Sequence, residues 1–188
     1  MKYRDIPNLI CVFRIVLVVP VIFFILNENF LWALSIFILA GVSDGVDGFL
    51  AKHFHWQSRL GSILDPVADK LLLVSTYITL TWIGLIPLWL LLAVFARDII
   101  IVIGAYAYHT FIGEFKMAPS LISKLNTVMQ ILLVMTILSV QLTEIPSSVI
   151  ESMVFITLLT IILSGIDYIA VWGKKAYLAT HKNHNAHD

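Results

Sequence analysis

The sequence predicts an all-α integral membrane protein with six transmembrane helices and both termini on the cytoplasmic side. Three observations predict it. The 188 residues are 60% apolar and only 13% charged, whereas a soluble domain is about half apolar and a quarter charged. Six stretches approach the roughly 17–25 largely apolar residues that a spanning helix needs. The basic residues fall on alternate links between those stretches. Formal net charge is zero, so bulk charge implies no nucleic-acid partner.

The stretches are, in order, 9–26, 30–51, 62–82, 87–108, 121–142 and 149–172. Short polar links at 27–29, 52–60, 83–86, 109–120 and 143–148 separate them. None shows the short alternating pattern of barrel strands, so helices are the spanning form. The opening Met-Lys-Tyr-Arg-Asp-Ile-Pro has no small-residue cleavage site. The first stretch is therefore read as a retained helix and not as a signal peptide. No Arg-rich, Ser-rich transit segment precedes it, which favours a bacterial inner membrane.

Orientation follows from charge. Lys2 and Arg4, then Lys52 and Arg59, then Lys116 and Lys124, then Lys174, Lys175 and Lys182 all fall on one side of a six-helix layout. The other side holds Glu28, Glu144 and Glu151 and no Lys or Arg. The positive-inside rule makes the first side cytoplasmic. The division expected is a membrane domain over 1–173 and a polar cytoplasmic tail over 174–188. His181, His184 and His187 in that tail read as part of a solvated, loosely ordered end. Cys11 is the only cysteine, so it forms no internal disulfide and reads as a small core residue.

The chemistry concentrates in Asp44-Gly-Val-Asp47-Gly48-Phe-Leu-Ala51-Lys52 and Gly61-Ser-Ile-Leu-Asp65-Pro-Val-Ala-Asp69-Lys70. Carboxylates at bilayer depth are costly and mark function by default. Asp44 and Asp47 are three apart, and Asp65 and Asp69 four apart, so each pair lies on one helix face. The second and third helices are joined by a short link and are expected to run antiparallel, with both pairs at matching depth near the cytoplasmic ends. Four carboxylates so placed make an all-oxygen cage for Mg2+ or Mn2+. Gly41, Gly45 and Gly48 form a stripe without side chains. Such a stripe serves close helix packing or lets a ligand approach the backbone.

These two segments resemble the signature of the CDP-alcohol phosphatidyltransferases, Asp-x2-Asp-Gly-x2-Ala-Arg-x8-Gly-x3-Asp-x3-Asp. Every spacing agrees from Asp44 to Asp69. The one departure is Lys52, where the pattern usually has Arg; Lys keeps the charge and loses the bidentate fork. The resemblance implies that Asp44, Asp47, Asp65 and Asp69 hold metal, and that Asp69 takes the proton from the acceptor hydroxyl. It implies further that Gly48, Lys52, Ser58 and Asn8 touch the CDP-linked lipid. Members of this family often form homodimers, so the resemblance extends that option to this chain.

The acceptor is read from the remaining intramembrane charges. Arg97 and Lys124 are candidates for the acceptor's phosphate; internal ion pairing is the other reading of Arg97. Arg14 and Asp167 read as interhelical or interfacial contacts. The chain resembles two branches of the family, those that make cardiolipin from phosphatidylglycerol with a single signature, and those that use glycerol-3-phosphate. The latter usually carry Arg-Glu with a second Arg eight residues on, then Gly-Lys-x-Lys-Thr. This chain has Arg97-Asp98, Ala105, and Ser123-Lys124-Leu-Asn126-Thr127. A pocket with two fewer cations suits the monoanionic phosphatidylglycerol better than a near-dianion. Leu85-Ile-Pro87 points the same way. A cation transporter is the alternative from another class; it would place its acids near the midplane with access from both sides, whereas these cluster towards one face.

Overall fold

The structure, a computed structural model, describes residues 6–54, 61–112, 120–143 and 146–184. Those residues form six α-helices: α1 Ile6–Leu26, α2 Phe30–His53, α3 Gly61–Trp82, α4 Leu88–Ile112, α5 Leu121–Val140 and α6 Ser147–His184. The all-helical expectation holds. Three described stretches are long and apolar enough to cross a membrane, Leu9–Leu26, Leu121–Val140 and Ser148–Ala170, with a shorter apolar stretch at Phe30–Val46. The carboxylates of the signature sit inside α2 and α3 and interrupt the apolar run of each.

The helix boundaries have local causes. Asn29 opens α2, its carbonyl accepting from Ala33 at 3.1 Å. Ser120 caps α5: its hydroxyl accepts from the Ser123 N–H at 3.1 Å, which satisfies one of the orphan donors of the first turn. Both α1 and α3 end in the same motif. In α1, Asn29 N–H reaches the Phe24 carbonyl and Glu28 N–H reaches that of Ile25. In α3, Leu85 reaches Leu80 and Gly84 reaches Thr81. This is the paired closure that needs one residue in the left-handed region. Gly84 adopts it at φ 81°, and Glu28 adopts it at φ 57°.

Several hydroxyl groups within the helices are satisfied locally. Ser35, Thr76, Thr79, Ser139 and Ser152 each donate to the carbonyl four residues back. In a medium without water, such back-bonding removes the cost of carrying Ser and Thr. Pro20 lies within α1, where it has no N–H to give the Val16 carbonyl.

The chain forms two compact units. The first holds residues 1–87 and 134–146; within it α1 packs against both α2 and α3. The packed stripe of α1 is Cys11, Arg14, Val18, Val21 and Ile25, all buried. Ala33, Phe37 and Ala40 of α2 and Ala68, Leu72 and Leu80 of α3 are buried likewise at helical spacing. Cys11 is buried and forms no disulfide, as expected. The second unit holds 88–133 and 147–188, and α4 packs against α6 within it. Outward faces are apolar: Phe13, Val16 and Val19 of α1 and Ile99, Val102 and Ile103 of α4 are all exposed. Apolar exposure on that scale suits lipid as the surrounding medium.

One expectation is corrected. The tail from Lys174 was expected to be loosely ordered, but α6 continues as helix to His184. Ala176, Leu178, Ala179 and Lys182 are good helix formers, and no proline interrupts them. A single glycine, Gly173, is too small a penalty to end a helix already 26 residues long at that point.

The two closures give a matched test. Gly84→Ala should cost about 1 kcal/mol, because a Cβ there meets no atom within 4 Å and only the left-handed backbone is penalised. Glu28→Gly should have the opposite sign, with a gain of about 0.5 kcal/mol once the added freedom of the unfolded chain is subtracted. Unfolding of both variants in detergent, read by helical circular dichroism, measures the pair.

Candidate active site

The first unit brings together three charged residues from three helices. Arg14 is on α1, and its side chain is fully buried. Its Nη1 lies 2.7 Å from Oδ1 of Asp44 on α2 and 2.5 Å from Oδ1 of Asp69 on α3. An NH2 group has two hydrogens to donate, one for each carboxylate. The acids are far more open than the arginine, with side chains 42% and 49% exposed. The cation is therefore at the back of the site and the carboxylates are at its mouth.

Helix register explains the meeting. Arg14 lies eight residues after Ile6, Asp69 eight after Gly61, and Asp44 nine before His53. At 1.5 Å per residue each is about 12–14 Å inside the corresponding helix end. The sequence expectation of matching depth for the two halves of the signature is met by Asp44 and Asp69. Arg14 was read as an interhelical contact, which it is; that it joins the two signature aspartates was not foreseen. The nearer of those partners, Asp44, is 30 positions along the chain, and Asp69 is 55 away, so no local pattern links them.

At two glycines of the stripe, Gly41 and Gly45, a Cβ would meet nothing within 4 Å; among the described residues no neighbouring helix packs against them, and they border open space beside Asp44. Asn8, Asp47, Gly48, Lys52, Ser58 and Asp65 lie outside the residues whose side chains are described. Asp47 continues α2 one turn beyond Asp44, and Asp65 precedes Asp69 by one turn of α3. Helical spacing therefore keeps each on the face of its described partner.

The donor set fits a hard divalent cation. Two carboxylate oxygens that share one nitrogen lie within about 5 Å of each other, and a Mg2+ ion with oxygens at about 2.1 Å spans about 4 Å. Each aspartate is partly open to solvent. Asp44 and Asp69 are the two described members of the proposed ligand set, and no group of three metal-binding side chains occurs among the described residues.

The second unit holds the other two candidates. Arg97 of α4 is buried. Its Nε and Nη2 donate to the Ser164 hydroxyl of α6 at 3.1 and 2.7 Å, and Nη2 also donates to Ser123 of α5 at 2.5 Å. Its Nη1 donates to Asp98 at 2.8 Å, and the Tyr168 ring lies 5.9 Å from the guanidinium carbon. The guanidinium thus fastens α4, α5 and α6, which is the internal pairing weighed from the sequence. Lys124 lies next to Ser123, in the first turn of α5, and is exposed. Thr160 donates to the Asn126 side chain at 3.0 Å, a further polar tie between α5 and α6. Asp167 on α6 is partly buried.

Comparison with known proteins agrees with the signature. The family model for CDP-alcohol phosphatidyltransferase matches residues 4–172, and the chain belongs to that family. It is similar to the cardiolipin synthase (CMP-forming) of Rattus norvegicus, 37% identical over 145 residues, covering 69% of this chain and 48% of that protein. It is similar to the cardiolipin synthase (CMP-forming) of Streptomyces coelicolor at 38% over 116 residues, covering 57% and 54%. A CDP-diacylglycerol–glycerol-3-phosphate 3-phosphatidyltransferase of Aquifex aeolicus is 29% identical over 172 residues, covering 87% of this chain and 93% of that one. The chain spans about half the length of the cardiolipin synthases it matches.

Two substitutions test the geometry. Ser164→Ala removes the acceptor shared by two nitrogens of a buried guanidinium, and should cost about 1–3 kcal/mol of stability in detergent unfolding. Gly45→Ala fills open space and should leave stability within about 0.5 kcal/mol. If that space admits the lipid substrate, Gly45→Ala should nevertheless lower turnover about tenfold or more, measured as CMP release.

Proposed function

We propose that this protein transfers the phosphatidyl group of CDP-diacylglycerol to phosphatidylglycerol, giving cardiolipin and CMP, with Mg2+ or Mn2+ as cofactor. The observation that carries the reading is the meeting of Asp44 and Asp69, one from each half of the signature, at a single open site. The names of the rat and Streptomyces relatives support phosphatidylglycerol as the acceptor. The Aquifex relative supports glycerol-3-phosphate as a second reading, and it matches nearly the full length of both chains.

In this reading Asp44, Asp47, Asp65 and Asp69 hold the metal. When bound, the metal neutralises the diphosphate and makes CMP a better leaving group. The remaining work falls to the chain. The open backbone at Gly41 and Gly45 admits the CDP end of the lipid, and Gly48, Lys52, Ser58 and Asn8 are its proposed contacts. Asp69 accepts the proton of the acceptor hydroxyl. The oxygen so freed attacks the phosphorus that carries the diacylglycerol, a new P–O bond forms, and the bond from that phosphorus to the oxygen of CMP breaks. Positioning and charge stabilisation are what such transfers demand. Lys124 meets the acceptor's phosphate, and Arg97 holds Ser123 beside it.

The same reading places six helices across the membrane, residues 1–173 as the catalytic domain and 174–188 as a cytoplasmic tail. Both termini and the site then face the cytoplasm of a bacterial inner membrane, in keeping with the one-sided Lys and Arg distribution. Pairing as a homodimer is part of the proposal by family likeness.

The test is CMP release by the purified protein from CDP-diacylglycerol with Mg2+ or Mn2+, with each acceptor offered separately. Turnover with phosphatidylglycerol alone is expected; turnover with glycerol-3-phosphate alone would transfer the reading to the second acceptor. Asp69→Asn should lower turnover by about 10³-fold or more while largely sparing CDP-lipid binding. Full activity in that variant would remove Asp69 as the base.

A further inference from the structure

We propose that Arg14 is a built-in counter-ion of the metal site, a positioning residue that holds Asp44 and Asp69 together when no metal is bound and competes with the metal for them. The inference rests on the reading of those aspartates as metal ligands. It adds a residue from α1, outside the signature.

Three observations support it. First, the arginine has no route to bulk water, since its side chain is fully buried. A buried cation without carboxylates beside it is strongly disfavoured in a membrane interior. Second, one nitrogen serves both acids, at 2.7 and 2.5 Å. A single point of positive charge between two carboxylates is also what a divalent cation supplies. Third, the asymmetry of exposure puts the acids between the arginine and the opening. A metal arriving from the mouth reaches the same two carboxylates from their open side and does not need to displace the arginine from its helix.

Charge balance says why such a residue is useful. Four carboxylates gathered at the end of a membrane bundle repel one another strongly at low dielectric. One buried guanidinium offsets part of that repulsion and keeps α2 and α3 in register on α1. It leaves a net negative charge for a divalent cation to answer. A guanidinium stays charged throughout the physiological range, so the restraint does not switch off.

A structural fastening and a counter-ion make different predictions, because only the counter-ion is thermodynamically linked to metal. Arg14→Gln is compared with the wild-type full chain in detergent, with Mn2+ or Mg2+ alone as the probe and no lipid substrate. The variant should unfold at a lower temperature without metal. Added Mn2+ should then raise its unfolding temperature by about twice as much as it raises that of the wild type, because binding to the native state stabilises it by linkage. The Mn2+ dissociation constant, read by electron paramagnetic resonance of free Mn2+, should fall several-fold. Turnover should fall as well, chiefly in kcat, with Asp69 no longer held.

Equal loss of stability with and without Mn2+, with an unchanged dissociation constant, would reduce Arg14 to a helix fastening and overturn the proposal. If Arg14→Gln cannot be obtained folded, Arg14→Lys decides. Its shorter side chain withdraws the charge from the two acids, so Mn2+ should bind it more tightly than it binds wild type while kcat is partly retained. A wild-type Mn2+ affinity in Arg14→Lys would overturn the proposal equally. A wild-type protein that shows neither a Mn2+ response nor CMP release overturns the metal-site reading itself, and the counter-ion with it. A wild type that responds to Mn2+ beside an Arg14→Gln that responds identically overturns the counter-ion alone.

Discussion

A cation buried among membrane helices must be met by carboxylates, and in this chain that requirement ties three helices at one nitrogen. Arg14 is enclosed on α1, and its partners come from α2 and α3. The apolar stripe of α1 supplies the packing, but apolar packing between helices in lipid is weakly specific, because lipid tails are as apolar as the side chains. The ion pairs supply the register. Sliding α2 or α3 by one turn, about 5.4 Å, would strand a charge in a low-dielectric interior. The same contact that sets helix register therefore also sets the separation of Asp44 and Asp69, and the site's geometry is a consequence of how the first unit packs.

The second unit solves an analogous problem with weaker partners. Arg97 has one carboxylate, Asp98 on its own helix, and otherwise relies on the hydroxyls of Ser123 and Ser164 and on the face of Tyr168. The Asp98 carboxylate offsets the guanidinium's charge, and neutral acceptors and an aromatic ring meet the rest of it. Lys124 is exposed one residue from Ser123. At the first unit's arginine, two carboxylates face one guanidinium. Both arginines are enclosed, and they differ in the charge of the groups around them.

Much of this was legible in the sequence. Helix number and order follow from apolar length and polar links, and the aspartate spacing placed each pair on one helix face, with the two pairs at matching depth. The partner of the aspartates was not legible. An isolated arginine in an apolar run could face lipid headgroups or another helix, and nothing local distinguishes them. Ser123 and Ser164 are likewise silent, since a serine in a span is ordinarily satisfied by its own helix, as Ser139 and Ser152 are here. The persistence of α6 to His184 was missed for a different reason. Polar composition was taken to mean loss of order, whereas helix propensity in that stretch is high.

Geometry bears on two of the three positions in the glycine stripe. Small residues at i, i+4 and i+7 serve close helix approach or ligand access. Close approach would put a neighbouring backbone against the missing Cβ positions, and at Gly41 and Gly45 there is none. In a packed interior such space would be a void, with dispersion contacts forfeited on every side. Beside a half-open pair of carboxylates it is instead a surface on which a bulky anion can lie against backbone without steric cost. On α2, open backbone at Gly41 and Gly45 thus lies next to the Asp44 carboxylate.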